Sequence, residues 1–156
     1  MVKRNPINTP SAPKAIGPYS QAVKSGSLVF ISGQIPLDPK TMELVGENVV
    51  MQTHQVFTNL SAIAEASGGN LVDIVKMTIY LTNLDNFSKI NEIMASYFQE
   101  PYPARATIEV SALPKAATSN SPMCKISAAA SKRKASNGAS TESSCSMLPV
   151  ADAADI

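Results

Sequence analysis

Two kinds of hydrophobic pattern run through the first 115 residues: compact apolar runs and helical stripes. The runs at 27–32 and 74–81 are rich in β-formers, and apolar residues alternate with polar ones at 106–110. These patterns predict three β-strands, the third with one polar face. Within the second, alternation places Val75 on the same face as Met77.

Two further segments carry apolar residues at helical spacing. The first lies between the first two predicted strands, and its predicted buried face consists of Val49, Thr53, Val56, Leu60 and Ile63. The second is expected to begin after an N-cap at Asp85, and its predicted stripe consists of Phe87, Ile90, Met94 and Tyr97. Alternation of strands and helices fits an α/β or α+β domain with helices packed on one face of a sheet.

The composition changes after Lys115. All four Tyr and four Phe lie between Tyr19 and Tyr102, whereas 116–156 is rich in Ala and Ser and holds both cysteines. Such a stretch has few large side chains to offset the entropy of ordering it. We therefore predict a folded domain at 1–115 and a low-complexity, disordered tail at 116–156.

Charge and composition narrow the class of function. The net charge is only +1, so a dedicated nucleic-acid binder is not expected, and the basic cluster at 132–134 is interpreted as a solvated charge run. No apolar run is long enough to predict a membrane span. Two cysteines make a disulfide framework improbable, which favours a cytoplasmic protein. The usual nucleotide and metalloprotease motifs are absent from the sequence.

Arg105 is the strongest candidate for chemistry. It follows the segment 101–104, whose two prolines fix its approach, at the start of a predicted strand. A guanidinium there is suited to holding a carboxylate through two parallel hydrogen bonds, and the alternative is a surface salt bridge with Glu109. Gly33 ends the first strand and would let a ligand approach the backbone closely.

Several short motifs follow one another along the chain: APKAIGPYSQA at 12–22, ISGQIP at 31–36, DIVK at 73–76, the helix from Asn86 to Phe98, PARA at 103–106, and EV at 109–110 followed by LPK at 113–115. Taken together, these ordered motifs resemble the RidA (YjgF) family of reactive intermediate deaminases. The resemblance covers roughly 5–115 in order.

The resemblance implies a chorismate-mutase-like α+β fold, with a mixed sheet and two helices on one face, and a homotrimer with active sites between subunits. The implied reaction is hydrolysis of small 2-imino acids, or their enamine tautomers, to 2-keto acids and ammonia, with no metal or organic cofactor. Arg105 would hold the substrate carboxylate and Tyr19 would flank the substrate. Ser32 and the Gly33 backbone would meet the imine or a water, and Asn91 would line the pocket.

One departure from the family concerns the last strand. After the LPK motif, family members carry a Glu that is thought to position water, and counting on from Lys115 places Asn120 near that position. An amide can orient water but cannot accept its proton. We interpret the final strand as altered or missing, through either a native tail or a shifted reading frame, and expect weakened activity.

Two alternatives to the deaminase stay open. The chain could be a trimer that binds a small carboxylate or a client protein without turnover. It could instead be an endoribonuclease or translation inhibitor, although the single histidine, His54, provides no acid–base pair for phosphodiester cleavage.

Overall fold

The computed structural model describes residues 4–114 and 124–131. The strands are β1 Asn5–Ile7, β2 Ala22–Ser25, β3 Leu28–Gln34, β4 Ile74–Leu81, β5 Ala104–Glu109 and β6 Cys124–Ser131, and the helices are α1 Val49–Ala66 and α2 Phe87–Tyr97. All six strands belong to one mixed sheet, with the helices on one face. This confirms the predicted α+β class.

The strand order across the sheet is β1-β2-β3-β6-β4-β5. All neighbouring pairs are antiparallel except β4 and β5, which are parallel and are connected through α2. The last of the described strands, β6, therefore lies in the interior of the sheet between β3 and β4, and β5 lies at an edge.

The position of β6 corrects the sequence interpretation. Cys124–Ser131 belongs to the stretch expected to be a disordered tail with the final strand missing, and for these residues that expectation is wrong. Every second residue from Cys124 is buried, although five of the eight residues are Ala or Ser. Small side chains suffice because the strand is paired on both edges and packs against α1. Asn120 and the remainder of 115–156 lie outside the described residues.

The face predicted for α1 is confirmed, since all five of its residues are buried. The Asn48 side chain caps the helix by accepting a hydrogen bond from the backbone N–H of Met51. The predicted N-cap of α2 is wrong: Asn83 caps a short 3₁₀ turn by accepting from the N–H of Asp85, and α2 follows that turn. Of the predicted α2 stripe, Ile90 and Met94 are buried and Tyr97 is partly buried, whereas Phe87 is exposed, so its predicted burial is wrong.

Two local irregularities bend the sheet. The register of β4 against β6 shifts between Ile74 and Lys76, which turns Val75 to solvent, so its predicted position on the buried face is wrong. A second shift lies between Ile31 and Gln34 on β3, where three steps along β3 match two along β6.

The face of the sheet opposite the helices carries large apolar side chains that are not covered within the chain. Leu28 and Phe30 on β3 are 40% and 52% exposed, and Ile108 on β5 is 46% exposed. In the part of the chain that is described, no helix has the length and apolar character of a membrane span. A contiguous exposed apolar patch, such as the one formed by these side chains, typically marks an interaction surface.

The thiol of Cys124 is a buried titratable group in the core. It is fully buried beside the Thr53 hydroxyl, 3.5 Å away. Burial raises the pKa of the Cys124 thiol from 9.0 to about 11, and the contact with Thr53 offsets part of that rise. The folded chain therefore keeps a proton that the unfolded chain loses at alkaline pH.

We expect this thiol to contribute to loss of stability at high pH. Its contribution is fully present below pH 9.0 and disappears as the pH rises toward about 11. The free energy of unfolding, measured in urea, should therefore fall less steeply with alkaline pH in Cys124→Ala than in the unmodified chain. Ser127→Ala, a substitution in the same strand that removes no titratable group, serves as the control and should keep the original slope. An unchanged slope in Cys124→Ala would contradict the expectation.

Candidate functional site

A buried glutamine fixes the loop that leads into one candidate site. The Gln21 side chain is 3% exposed. Its Oε1 accepts from the N–H of Thr9 at 2.6 Å, and its Nε2 donates to the carbonyls of Ala12 and Pro13 at 3.1 and 2.8 Å. These bonds hold the 9–13 segment against β2, and so place the following turn, which carries Tyr19, beside the end of β3.

The bulge at the end of β3 shapes the backbone at Ser32 and Gly33. A bulge leaves one residue of the strand outside the regular ladder. The Ser32 hydroxyl donates to the carbonyl of Ser20 at 2.6 Å, and Gln34 Nε2 donates to the carbonyl of Ser32 at 3.0 Å. The strand end is thus fixed to the Tyr19 turn by side-chain hydrogen bonds.

A cavity of about 470 Å³ opens between this turn and the sheet. Its lining includes Tyr19, Ser32 and Gly33, which the sequence analysis named, together with Lys125 from β6. We call these four residues the glycine half-site. Tyr19 is 51% exposed, and its hydroxyl accepts from the N–H of Ile16 at 3.3 Å. None of the described residues that line the cavity is acidic.

Lys125 is the residue of this half-site that sequence reasoning missed. Its aliphatic stem crosses Gly33, where a Cβ would collide with Lys125 Cε. Its ammonium nitrogen lies 5.9 Å from the centre of the Tyr80 ring. The missing side chain of Gly33 therefore leaves room for the lysine stem. The available signal was the period-two pattern of 124–131, in which Lys125 falls on the face opposite Cys124 and Ile126.

Arg105 lies outside the glycine half-site, in another part of the fold. It occupies the second position of the edge strand β5 on the helix side, because its register partner Met77 is buried there. Its guanidinium donates to Asn91 Oδ1, lies 3.7 Å from Met94 Sδ, and has its Cζ 5.2 Å from the centre of the Phe87 ring.

A separate open cavity of about 430 Å³ borders Arg105. We call its residues the arginine half-site: Asn91, Met94, Ala95, Tyr102, Pro103 and Arg105. The Glu109 carboxylate is engaged differently from the salt bridge considered above, since its Oε2 accepts from the N–H of Leu84 at 2.8 Å. Asn91, a neutral amide, is the polar partner that the structure gives to the guanidinium.

The two half-sites do not meet within one chain. In the sheet, β6 and β4 lie between β3 and β5. Because neighbouring strands are about 4.8 Å apart, β3 and β5 are separated by about 14 Å. Tyr19, Ser32 and Gly33 come together in one cavity, and Arg105 and Asn91 in another. His54 belongs to neither: it is exposed on α1, with Nδ1 2.9 Å from the Tyr97 hydroxyl.

These features define an α+β protein in which the candidate site residues border two separate cavities, one of them beside an arginine on an edge strand. The family described as Endoribonuclease L-PSP matches residues 9–119. The chain therefore belongs to this family, which is the RidA (YjgF) family.

Relatives with known names or structures agree with this assignment. The chain is 47% identical to a 2-iminobutanoate/2-iminopropanoate deaminase of Dermatophagoides farinae over 109 residues, 70% of this chain and 85% of that protein. The structure of RidA from an Antarctic Psychrobacter matches with a TM-score of 0.75 and 46% identity, over 81% of this chain and 98% of that one. E. coli TdcF with bound serine matches with a TM-score of 0.75 and 40% identity, over 83% and 99%.

Proposed function

We propose that the chain is a hydrolase that deaminates small 2-imino acids to 2-keto acids and ammonia. The observation that carries the proposal is the hydrogen bonding of the Arg105 guanidinium. Its hydrogen-bond partner is the neutral amide of Asn91, so the positive charge is oriented but not neutralised there. A guanidinium has five N–H donors, and those left over can hold a carboxylate through two parallel bonds.

The reaction makes modest demands on the protein. Water adds to C2 of a protonated 2-imino acid, the C2–N bond breaks, and ammonium leaves with a 2-keto acid as the other product. The iminium carbon is already electrophilic, so orientation of the acid and of the water accounts for most of the catalysis. Tyr19, Ser32 and the Gly33 backbone border the space in which the reacting carbon would lie.

Assembly is part of the proposal, because the half-sites are apart in one chain. The uncovered apolar face of the sheet, with Phe30 and Ile108, is the surface we propose for a homotrimer. In such a ring the arginine half-site of one copy would complete the glycine half-site of its neighbour. The resemblance to the family implies the same arrangement.

The names of the relatives support this choice of chemistry. The mite relative is named as a deaminase of 2-iminobutanoate and 2-iminopropanoate, and the E. coli relative was crystallised with serine. Both names involve acids with nitrogen on C2. We propose that this chain acts on the same class of acid and that it also holds the substrate by its carboxylate.

Mixing two inactive variants tests both the reaction and the shared site. Arg105→Ala removes one half-site and Gly33→Val obstructs the other, so each alone should hydrolyse a dehydratase-derived imine poorly. After the two are refolded together at equal amounts, a site is intact when a Gly33→Val copy contributes its arginine to an Arg105→Ala copy. In a closed ring that happens at about a quarter of the sites, and about a quarter of the normal rate should return.

The control is each variant refolded with itself, which should regain nothing. Circular dichroism shows whether both variants are folded. If two folded variants recover no activity on mixing, the proposal that copies share a site is wrong. If Arg105→Ala alone keeps the full rate, the proposed anchor is wrong.

A non-catalytic carboxylate-binding trimer is the second candidate. It is favoured by the lack of an acidic side chain among the described residues of the glycine half-site, because such a group would accept the proton of the attacking water. This candidate predicts binding of small carboxylates with no turnover. An endoribonuclease is supported by the description of the family and by the names of some similar structures, whereas His54 lies outside both half-sites.

A further inference from the structure

We infer that this chain prefers 2-imino acids that carry a second carboxylate on a short side chain. This inference rests on the proposed function, because it assumes that Arg105 of one copy meets the glycine half-site of another. Arg105 would hold the carboxylate at C1, and Lys125 would hold the one on the side chain.

The charges of the glycine half-site carry the inference. Two lysines, Lys14 and Lys125, border its cavity, and no described lining residue is acidic. Lys14 is exposed, whereas Lys125 is partly buried and comes from a central strand. A cation in a partly desolvated cavity favours an anion that can pair with it. Lys125 is therefore the cation better placed to select a ligand.

The position of the ammonium is constrained by its surroundings. The stem of Lys125 passes over Gly33, the position without a side chain, and its nitrogen lies near the Tyr80 ring. The lysine is thus held at the cavity by packing along its length. A side chain held in this way loses less conformational freedom when it binds a ligand.

The overall charge of the substrate then decides between acids. A protonated 2-imino acid with one carboxylate is neutral overall, and its anion would pair with Arg105. Its positive nitrogen would then lie in a cavity whose other fixed cation, Lys125, repels it. A second carboxylate provides an anion for Lys125 and removes that repulsion. The cavity of about 470 Å³ has room for the longer acid.

Unreactive acids of equal carbon number isolate the effect of the second carboxylate. Succinate and butyrate are the probes, and their dissociation constants are measured by calorimetry on the assembled protein. Succinate should bind at least about tenfold more tightly than butyrate, which is the effect of one modest ion pair. Lys125→Gln should reduce that preference to within about twofold, chiefly by weakening the binding of succinate.

Lys40→Gln is the matched control. Lys40 is exposed in a turn where its backbone N–H donates to Asp38 Oδ1 at 2.7 Å, outside both half-sites, and its replacement removes the same charge. It should keep the succinate preference. The turnover arm compares 2-iminosuccinate with 2-iminobutanoate, each generated in the assay by an amino-acid oxidase, and should show the same order in kcat/KM.

The outcomes separate this inference from the proposed function. If both acids bind equally and Arg105→Gln weakens both, the anchor stands and the preference for a second carboxylate is wrong. If succinate preference persists in Lys125→Gln, the assignment to Lys125 is wrong. If neither acid depends on Arg105, the proposed function and the two-cation site both fail.

Discussion

Replacing Arg105 with glutamine should lower kcat/KM for 2-iminobutanoate by at least about 100-fold, because two charge-assisted hydrogen bonds at about 1.5–3 kcal/mol each are lost. The guanidinium is the only cation of the arginine half-site among its described residues. Glutamine keeps a smaller hydrogen-bonding group, but it lacks both the positive charge and the two parallel N–H donors of the guanidinium. The rate is followed by the disappearance of imine in competition with semicarbazide.

Two further variants give the prediction its specificity. Arg105→Lys restores the charge without the planar fork, so it should recover only part of the lost rate. Arg4→Gln removes an arginine from an exposed position before β1 and should leave the rate unchanged. Arg105→Gln with more than half of the original kcat/KM, in a folded trimer, would contradict the anchor role. A loss equal in Arg4→Gln would show that net charge alone is responsible.

The hydrophobic pattern was sufficient to predict an element where large apolar side chains occur along its whole length. The predicted bounds of β4, 74–81, are those observed, because β-branched and apolar residues span the whole strand. The buried face of α1 followed from its helical spacing in the same way. The position of Val75 did not follow, since a bulge changes the alternation of the strand after Ile74 and no residue type announces it.

Small residues hid the central strand. Ala and Ser in 124–131 have low intrinsic preference for strands and bury little surface, so composition favoured disorder there. Pairing on two sides, which the sequence does not display, orders the segment. The short strands β1 and β2 were missed for a similar reason, because each is defined by its partner more than by its own pattern.

The candidate site was found unevenly. Arg105 and Gly33 were named from local motifs and from the family resemblance, and Tyr19, Ser32 and Asn91 from the resemblance alone. Lys125 was missed because it belongs to the strand that was taken for tail. The contact between β3 and β6 also gives a structural reason for glycine at position 33. Its missing side chain accommodates Lys125, a residue more than 90 positions away.

Shortening one side chain of β6 should strongly destabilise the protein. Ile126 is fully buried, and it lies in register with Ile79 on β4 and Gln34 on β3. Ile126→Ala should lower the free energy of unfolding by about 2–5 kcal/mol, through lost burial and the cavity that remains. That is a large share of the roughly 5–15 kcal/mol that stabilises a typical domain. Urea unfolding at fixed protein concentration measures the change.

Ser127→Ala is the control from the same strand. Ser127 is only partly buried and lies on the sheet face away from the helices, so its replacement should change the free energy of unfolding by less than about 1 kcal/mol. If 124–131 were a disordered tail, neither substitution would affect folding. A loss below about 1 kcal/mol in Ile126→Ala would therefore contradict the central position of β6, whereas a large loss confined to that variant would identify the strand as part of the core.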